Sequence, residues 1–181
     1  YTITSQGNTL QDSFRVVAGI PGILIISRSE YPKHIAYYDS AVSALSMPFE
    51  LSTGNDFPYI KNRNVVIYTT GNNRDSLFTA AELDTISAYL NSGGRILFSG
   101  QNIAEYLHTA HPAFLHNKLG IRWVKNNNLL AKNAFGISTD PIGGNIPTIR
   151  FNGIDGAQNE RSTDVLADTG GFHIAFSYKN T

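Results

Sequence analysis

The sequence predicts an α/β protein with an open, mostly parallel sheet, helices on both faces of that sheet, and a β-rich C-terminal addition. Residues 23–26 form a continuous apolar run and residues 65–70 a second strong strand candidate, as expected of strands buried on both faces. Segments with helical spacing alternate with such strands between Ile23 and Val124. That alternation is typical of strand–helix–strand units with right-handed crossovers.

The length of 181 residues is close to the soft prior of about 150 residues per domain, so we expect one domain. Within it, residues 1–20 are predicted to be an edge strand or a linker. Residues 21–125 are predicted to be the wound α/β core, and residues 126–181 a β-rich extension that packs on the sheet edge.

Two segments of the core carry helix signals. Residues 34–45 place apolar side chains three and four positions apart, which predicts an amphipathic helix. A second helix is predicted to begin at Thr79, because Thr79 and Glu82 have the spacing of a capping box. Gly93 and Gly94 supply the conformation that ends it.

Shorter strands complete the pattern. We expect one near residues 49–51, one at residues 96–98 that leads into a helix at residues 103–107, and an apolar run at residues 120–124. After Asn126, residues rich in turn-forming side chains separate short candidate strands. These are residues 136–138, 148–151, 165–166 and 172–176.

The composition of the chain argues against several classes of partner and of site. Fourteen basic and fourteen acidic residues give a formal net charge of zero, which argues against a nucleic-acid groove or an anionic membrane surface. No apolar run approaches the roughly 20 residues of a membrane span. Cysteine is absent, which excludes disulfides, thiolate metal sites and cysteine nucleophiles. A charged fraction of 15% leans towards an extracellular surface.

Polar side chains follow three of the predicted strands at their carboxyl ends, where open α/β sheets bind ligands. Hydroxyls, amides and a cation of this kind could bind a sugar or a carboxylate. The alternative is that they cap helices and close turns, which Ser, Asn and Gly do by default. We call this set the polar rim; it consists of Arg28, Thr70, Asn72, Asn73, Ser99, Gln101 and Asn102.

Ser99 is the one plausible nucleophile at the strand–helix corner of residues 95–107. The nucleophile elbow Gly-x-Ser-x-Gly requires glycine at positions 97 and 101, and the sequence has Leu97 and Gln101 there. A serine that ends a strand and caps the next helix is therefore favoured. The alternative function is a hydrolase or carbohydrate-processing enzyme that uses Ser99 with a histidine base, namely His108, His111 or His173.

No metal or cofactor site is predicted. His108 and His111 are three residues apart, but Pro112 is expected to break or start a helix there. Residues 152–164 are acidic and contain glycine, yet they do not match the EF-hand pattern, so a calcium site there stays open. Neither common phosphate-binding glycine motif occurs.

Two stretches, "NVVIYTTGNN" at residues 64–73 and "FTAAELDTISAYLNSGGRILFSGQNIAEYL" at residues 78–107, resemble the class I glutamine amidotransferase-like domain, which has a flavodoxin-like fold. More narrowly, they resemble its degenerate version in secreted bacterial and archaeal proteases and surface proteins. Later pieces are similar in the same order, so the resemblance covers residues 23–176. A more distant resemblance is to trehalose-utilisation-like domains of the same fold.

The resemblance implies a fold without its catalytic residues. It places Gly100, or at best Ser99, where true amidotransferases have their cysteine, and no His-x-Glu follows the one late histidine, His173. It therefore implies a non-catalytic accessory or binding module of a larger secreted or cell-surface protein. The implied partners are neighbouring domains of the same polypeptide and a carbohydrate or peptide ligand. A purely structural domain without a ligand remains the third alternative.

Overall fold

The computed structural model describes residues 2–5, 8–11, 19–29, 32–53, 57–127, 132–150, 162–170 and 173–178. Two N-terminal strands, β1 (Thr2–Ser5) and β2 (Asn8–Gln11), pair with each other as an antiparallel hairpin. The segment predicted to be an edge strand or a linker thus contains a hairpin.

The core is a four-stranded, all-parallel sheet, as the sequence predicts. Its strands are β3 (Ile23–Ser27), β4 (Phe49–Ser52), β5 (Val65–Gly71) and β6 (Arg95–Gly100), in the spatial order β4-β3-β5-β6. In the register of the sheet, Ile25 of β3 lies opposite Leu51 of β4 and Ile67 of β5. All five side chains of β3 are buried, which is why this strand reads as a continuous apolar run.

Helices cover both faces of the sheet. They are α1 (Pro32–Ala44), α2 (Ala80–Asn91), α3 (Ile103–Ala110) and α4 (Pro112–Asn117). Val42 of α1 packs with Ile23, Ile25 and Ile67 in one apolar cluster. Side chains of α2, α3 and α4 share a second cluster with the alternate residues of β3 and β5.

The two faces follow from the strand order. The chain runs outward from β3 to β4 and then returns to the other side of β3 to form β5. Because crossovers between parallel strands are right-handed, a change in the direction of travel moves the connecting helix to the opposite face. α1 therefore lies on one face and α2 on the other.

The predicted capping box is present at the start of α2. The backbone N–H of Glu82 donates to the Thr79 hydroxyl at 3.2 Å, and the backbone N–H of Thr79 donates to a Glu82 carboxylate oxygen at 2.6 Å. Gly93 follows the helix with φ of 88°, a conformation that favours glycine.

The described residues of the C-terminal addition form two antiparallel sheets. β7 (Ile121–Asn126) pairs with β10 (Asp164–Asp168), and β8 (Asn133–Gly136) pairs with β9 (Thr148–Arg150) and with β11 (Phe176–Ser177). A short 3₁₀ turn covers Gly143–Asn145. The apolar run at residues 120–124 therefore belongs to this addition and does not extend the parallel sheet.

Two predicted strands of the addition are shifted. Strand β8 ends at Gly136, and a turn closes directly after it, from Asp140 N to Ile137 O at 2.9 Å. The predicted strand at residues 172–176 is reduced to β11, and residue 172 lies outside the described part of the chain. Within that part, no helix has the length and apolar character needed to span a bilayer.

Candidate functional site

The strand order creates a switch point between β3 and β5, where the chain leaves the sheet in opposite directions. Open α/β sheets bind their ligands in the crevice outside the carboxyl ends of the strands at such a point. Here a backbone hydrogen bond from Arg28 N to Thr69 O, at 2.8 Å, joins the two strand ends.

A cavity of about 570 Å³ opens at this edge of the sheet. Its volume falls within the range of roughly 300–1,000 Å³ that is usual for small-molecule sites. Its walls come from α1, from the loop after β5, from the end of β6, from α3 and α4, and from the C-terminal addition. The polar and ionisable side chains of its lining are His34, Tyr37, Tyr38, Thr69, Asn72, Ser99, Gln101, Thr163, Asp164 and Tyr178.

The polar rim is divided by this cavity. Asn72, Ser99 and Gln101 line it, whereas Arg28, Thr70, Asn73 and Asn102 do not. Most of the amide groups of the rim bond to one another and to the backbone of the neighbouring loops.

Asn102 is buried, with 2% of its surface exposed. Its side-chain nitrogen donates to the backbone oxygens of Asn72 at 3.3 Å and of Asn73 at 3.2 Å, and its side-chain oxygen accepts from Arg74 Nε at 3.3 Å. Asn73 in turn donates to Arg28 O at 2.5 Å. These bonds hold together the loops that follow β3, β5 and β6.

Gln101 ties the C-terminal addition to the same place. Its side-chain nitrogen donates to the side-chain oxygen of Asn72, and its side-chain oxygen accepts from Ser162 N at 3.0 Å. Its backbone oxygen accepts from Asp164 N at 3.1 Å. The addition is thereby attached to the carboxyl end of β6, where it forms one wall of the cavity.

Arg28 makes an ion pair with Glu82 at 3.0 Å, and both side chains are largely buried. Because Glu82 also closes the capping box of α2, this pair connects the end of β3 to the start of that helix. The guanidinium is therefore committed to a carboxylate of its own chain.

The corner between β6 and α3 has no room for a side chain at position 100. A Cβ built on Gly100 would lie far inside van der Waals contact with the hydroxyl of Thr70, and 3.2 Å from two carbons of Ile103. Thr70 is fully buried, and its hydroxyl has no hydrogen-bond partner within the described residues. The Thr70 hydroxyl thus fills the space into which a side chain at position 100 would project.

Ser99 lines the cavity, and the hydroxyl of Tyr38 donates a hydrogen bond to it. The three histidines considered as its base lie elsewhere. His108 stacks on Trp123 with ring centroids 5.2 Å apart, and His111 separates α3 from α4, which begins at Pro112 as expected. Neither of these nor His173 lines the cavity.

His34 does line the cavity, and sequence reasoning missed it. Its Nδ1 lies 2.9 Å from the hydroxyl of Ser29. Gly71, with φ of 57°, makes room for this pair, because a Cβ there would lie 2.7 Å from His34 Nδ1. The available signal was position: His34 lies in the first turn of the helix after β3, and that turn starts at the carboxyl edge of the sheet.

Asp164 is another cavity residue that sequence reasoning missed, as are Tyr38 and Tyr178. Its carboxylate accepts from Ala104 N at 2.8 Å, from Glu105 N at 3.3 Å and from Trp123 Nε1 at 3.0 Å. Burial raises the pKa of Asp164 to about 6, although the hydrogen bonds from Ala104 and Glu105 act in the opposite direction. No sequence pattern links residue 164 to residue 104, so only the fold reveals this contact.

No group of three or more His, Asp or Glu side chains in the described ranges is arranged to hold a metal ion. The candidate calcium loop lies outside the described residues except for residues 162–164. Comparison with models of known protein families, with curated proteins and with solved structures gives no match to this chain. What the protein does is therefore inferred from its own residues and their geometry.

Proposed function

We propose that this chain is a non-catalytic accessory or binding module of a larger secreted or cell-surface protein. It has a glutamine amidotransferase-like fold of the flavodoxin-like type that lacks the nucleophilic cysteine. The observation that carries the proposal is the corner at Gly100, where the buried hydroxyl of Thr70 takes the space of a nucleophilic side chain.

The strand order supports the fold assignment. Numbered along the chain, the four parallel strands lie in the order 2-1-3-4, which is the order of the first four strands in flavodoxin-like sheets. The switch point then falls between the first and third parallel strands, and the cavity lies at the same edge of the sheet, against α1 and the ends of β5 and β6.

The chemistry at the corner supports the lack of catalysis. The sequence contains no cysteine, and a serine nucleophile requires a base that can accept its proton. The hydrogen-bond partner of the Ser99 hydroxyl is the phenol of Tyr38, which donates to it. A donor at this position does not activate the serine.

The composition supports an extracellular setting, and that setting suggests which partners the module has. A charged fraction of 15% suits an extracellular surface. We expect the partners to be neighbouring domains of the same polypeptide, together with a carbohydrate or peptide ligand in the cavity.

A second candidate is a hydrolase or carbohydrate-processing enzyme that uses Ser99. One observation favours it: His34 lines the same cavity as Ser99, so His34 would replace His108, His111 and His173 as the candidate base. In that enzyme Ser99 would transfer its own proton to the His34 imidazole, while Tyr38 could continue to donate its hydrogen bond to the Ser99 oxygen.

Covalent labelling distinguishes the non-catalytic module from an enzyme that uses Ser99. The chain is incubated with a fluorophosphonate that reacts with activated serines, and the modified residues are mapped by mass spectrometry. The proposal predicts no more adduct on Ser99 than on the exposed Ser43. Selective labelling of Ser99 that disappears in a His34→Ala variant would establish the enzyme instead.

A further inference from the structure

The ligand class of the cavity follows from the charges of its wall. The described lining contains neither Lys nor Arg. The two arginines near this edge are not part of it: Arg28 pairs with Glu82, and Arg74 contacts Asn102 and Glu105. An anionic ligand would therefore find no permanent cation in this wall to compensate its own charge, which makes a carboxylate or phosphate unfavourable.

The wall also does not favour an amine. The one carboxylate in the described lining, Asp164, already accepts three hydrogen bonds, from two backbone N–H groups of α3 and from the Trp123 indole. Two of the three donors, the backbone N–H groups of Ala104 and Glu105, belong to the first turn of α3, and the positive end of that helix partly compensates the carboxylate. The charge of Asp164 is thus used by its own chain.

The uncharged groups of the cavity form two kinds of surface. Leu115, Leu119 and Ile121 provide an apolar side. Hydroxyls provide the other: Tyr38 is bonded to Ser99, and Tyr178 donates to Thr163 at 3.1 Å. Each hydroxyl can both donate and accept, so a bonded pair of hydroxyls still offers hydrogen bonds to a ligand.

A ligand that matches these surfaces has an apolar face, hydroxyl groups at its edge and no charge. We infer that the cavity binds an uncharged sugar, whose hydroxyls bond to Tyr38 and Ser99 while its C–H face lies on the apolar side. This inference rests on the proposed function and names the ligand of the same site. Tyr38 and Ser99 are held in place by their mutual hydrogen bond, so little side-chain entropy is lost on binding.

Saturation-transfer difference NMR on the whole chain tests the inference at about pH 7. The uncharged probes are glucose, galactose, N-acetylglucosamine and maltose. Glucuronate and protonated glucosamine are the charged counterparts. We expect transfer to at least one uncharged probe and weaker transfer to its charged counterpart. No transfer to any uncharged probe, or stronger transfer to a charged one, would overturn the inference.

Tyr38→Phe and Ser99→Ala connect the signal to the cavity, because each removes one of the two hydroxyls that would bond to the sugar, together with the hydrogen bond between them. We expect either change to weaken binding about five- to tenfold, as for the loss of one hydrogen bond. Tyr59→Phe is the matched control, since Tyr59 is exposed and outside the cavity lining, and it should leave affinity unchanged. If Tyr38→Phe and Ser99→Ala both bind the sugar as tightly as the unmodified protein, and circular dichroism shows that both are folded, the inference is contradicted.

The same NMR samples separate a failed inference from a failed proposed function. If the maltose resonances are replaced over time by those of glucose, and Ser99→Ala stops this, the chain is an enzyme and the proposed function is wrong. If no probe is bound and none is consumed, the non-catalytic role stands and the sugar ligand is rejected.

Discussion

The carboxylate of Asp164 accepts a hydrogen bond from the backbone N–H of Ala104 at 2.8 Å, across sixty positions of the chain. Asn102 occupies the N-cap position of α3, but its side chain makes no cap hydrogen bond because it holds the loop after β5. Asp164 satisfies the start of the helix in its place. The C-terminal addition is therefore fastened to the core at the wall of the cavity.

This contact predicts a pH dependence of stability. The folded-state pKa of Asp164, about 6, lies above its ordinary value of 3.8, because burial disfavours the carboxylate. The stabilisation from this group is thus fully present below pH 3.8 and is lost as the pH rises through about 6. We expect the loss of this stabilisation to lower the free energy of unfolding by about 1–2 kcal/mol, allowing for solvent screening. Urea unfolding at a series of pH values measures it.

Asp164→Asn supplies the control for this prediction, because the amide has the shape of the protonated acid and does not titrate. Between pH 4 and pH 7 the difference in unfolding free energy between the two proteins should change in favour of the variant. Parallel pH profiles for the two proteins would show that Asp164 has an ordinary pKa.

Asn102→Ala should destabilise the protein strongly. The substitution leaves the backbone oxygens of Asn72 and Asn73 without the donor that now serves them in a buried place. We expect a loss of about 2–3 kcal/mol in the free energy of unfolding, measured by urea denaturation. Asn117→Ala, at an exposed residue whose side chain bonds to the neighbouring His116 ring, should stay within about 0.5 kcal/mol. Equal effects at the two positions would refute the structural role of Asn102.

The Arg28–Glu82 pair should show a larger coupling energy than the other ion pair at this edge. Its partners are only 15% and 13% exposed, whereas Arg74 and Glu105, 3.9 Å apart, are 58% and 35% exposed. A double-mutant cycle with alanine should give about 1–3 kcal/mol for Arg28–Glu82 and under about 1 kcal/mol for the exposed pair. A coupling energy near zero for the buried pair would contradict the structural role of the Arg28–Glu82 contact.

Local patterns account for what the sequence predicts well. The capping box of Thr79 and Glu82 depends on residues three positions apart, and the buried strand β3 depends on one apolar run. Both are confirmed because neighbouring residues specify them. The α/β class with a parallel sheet is confirmed for the same reason.

Long-range contacts account for what the sequence does not predict. The residues of the polar rim do lie at the carboxyl edge of the sheet. The sequence does not show, however, that Asn102 bonds to the loop after β5. Asp164 joins the cavity only because β10 pairs with β7 and places it beside α3. His34 joins it because α1 begins at the switch point. Each placement depends on tertiary contacts that no short motif records.

The corner between β6 and α3 offers one further test, which concerns the space around position 100. Gly100 has no left-handed backbone angle, so an alanine there is opposed by contacts and not by backbone strain. Gly22→Ala is a matched control, because the three atoms nearest to its Cβ would all belong to the exposed side chain of Asn64, which can move away. We expect a loss of about 1–3 kcal/mol for Gly100→Ala and a smaller loss for Gly22→Ala.

The most direct test of the central claim is the double-mutant cycle of Gly100→Ala with Thr70→Ala, measured by urea unfolding. If the Thr70 hydroxyl fills the place of the missing nucleophile, Thr70→Ala opens that space and Gly100→Ala becomes less destabilising by at least about 1 kcal/mol. If Gly100→Ala costs the same stability in both backgrounds, the corner is not filled by Thr70, and the structural basis for a non-catalytic module is contradicted.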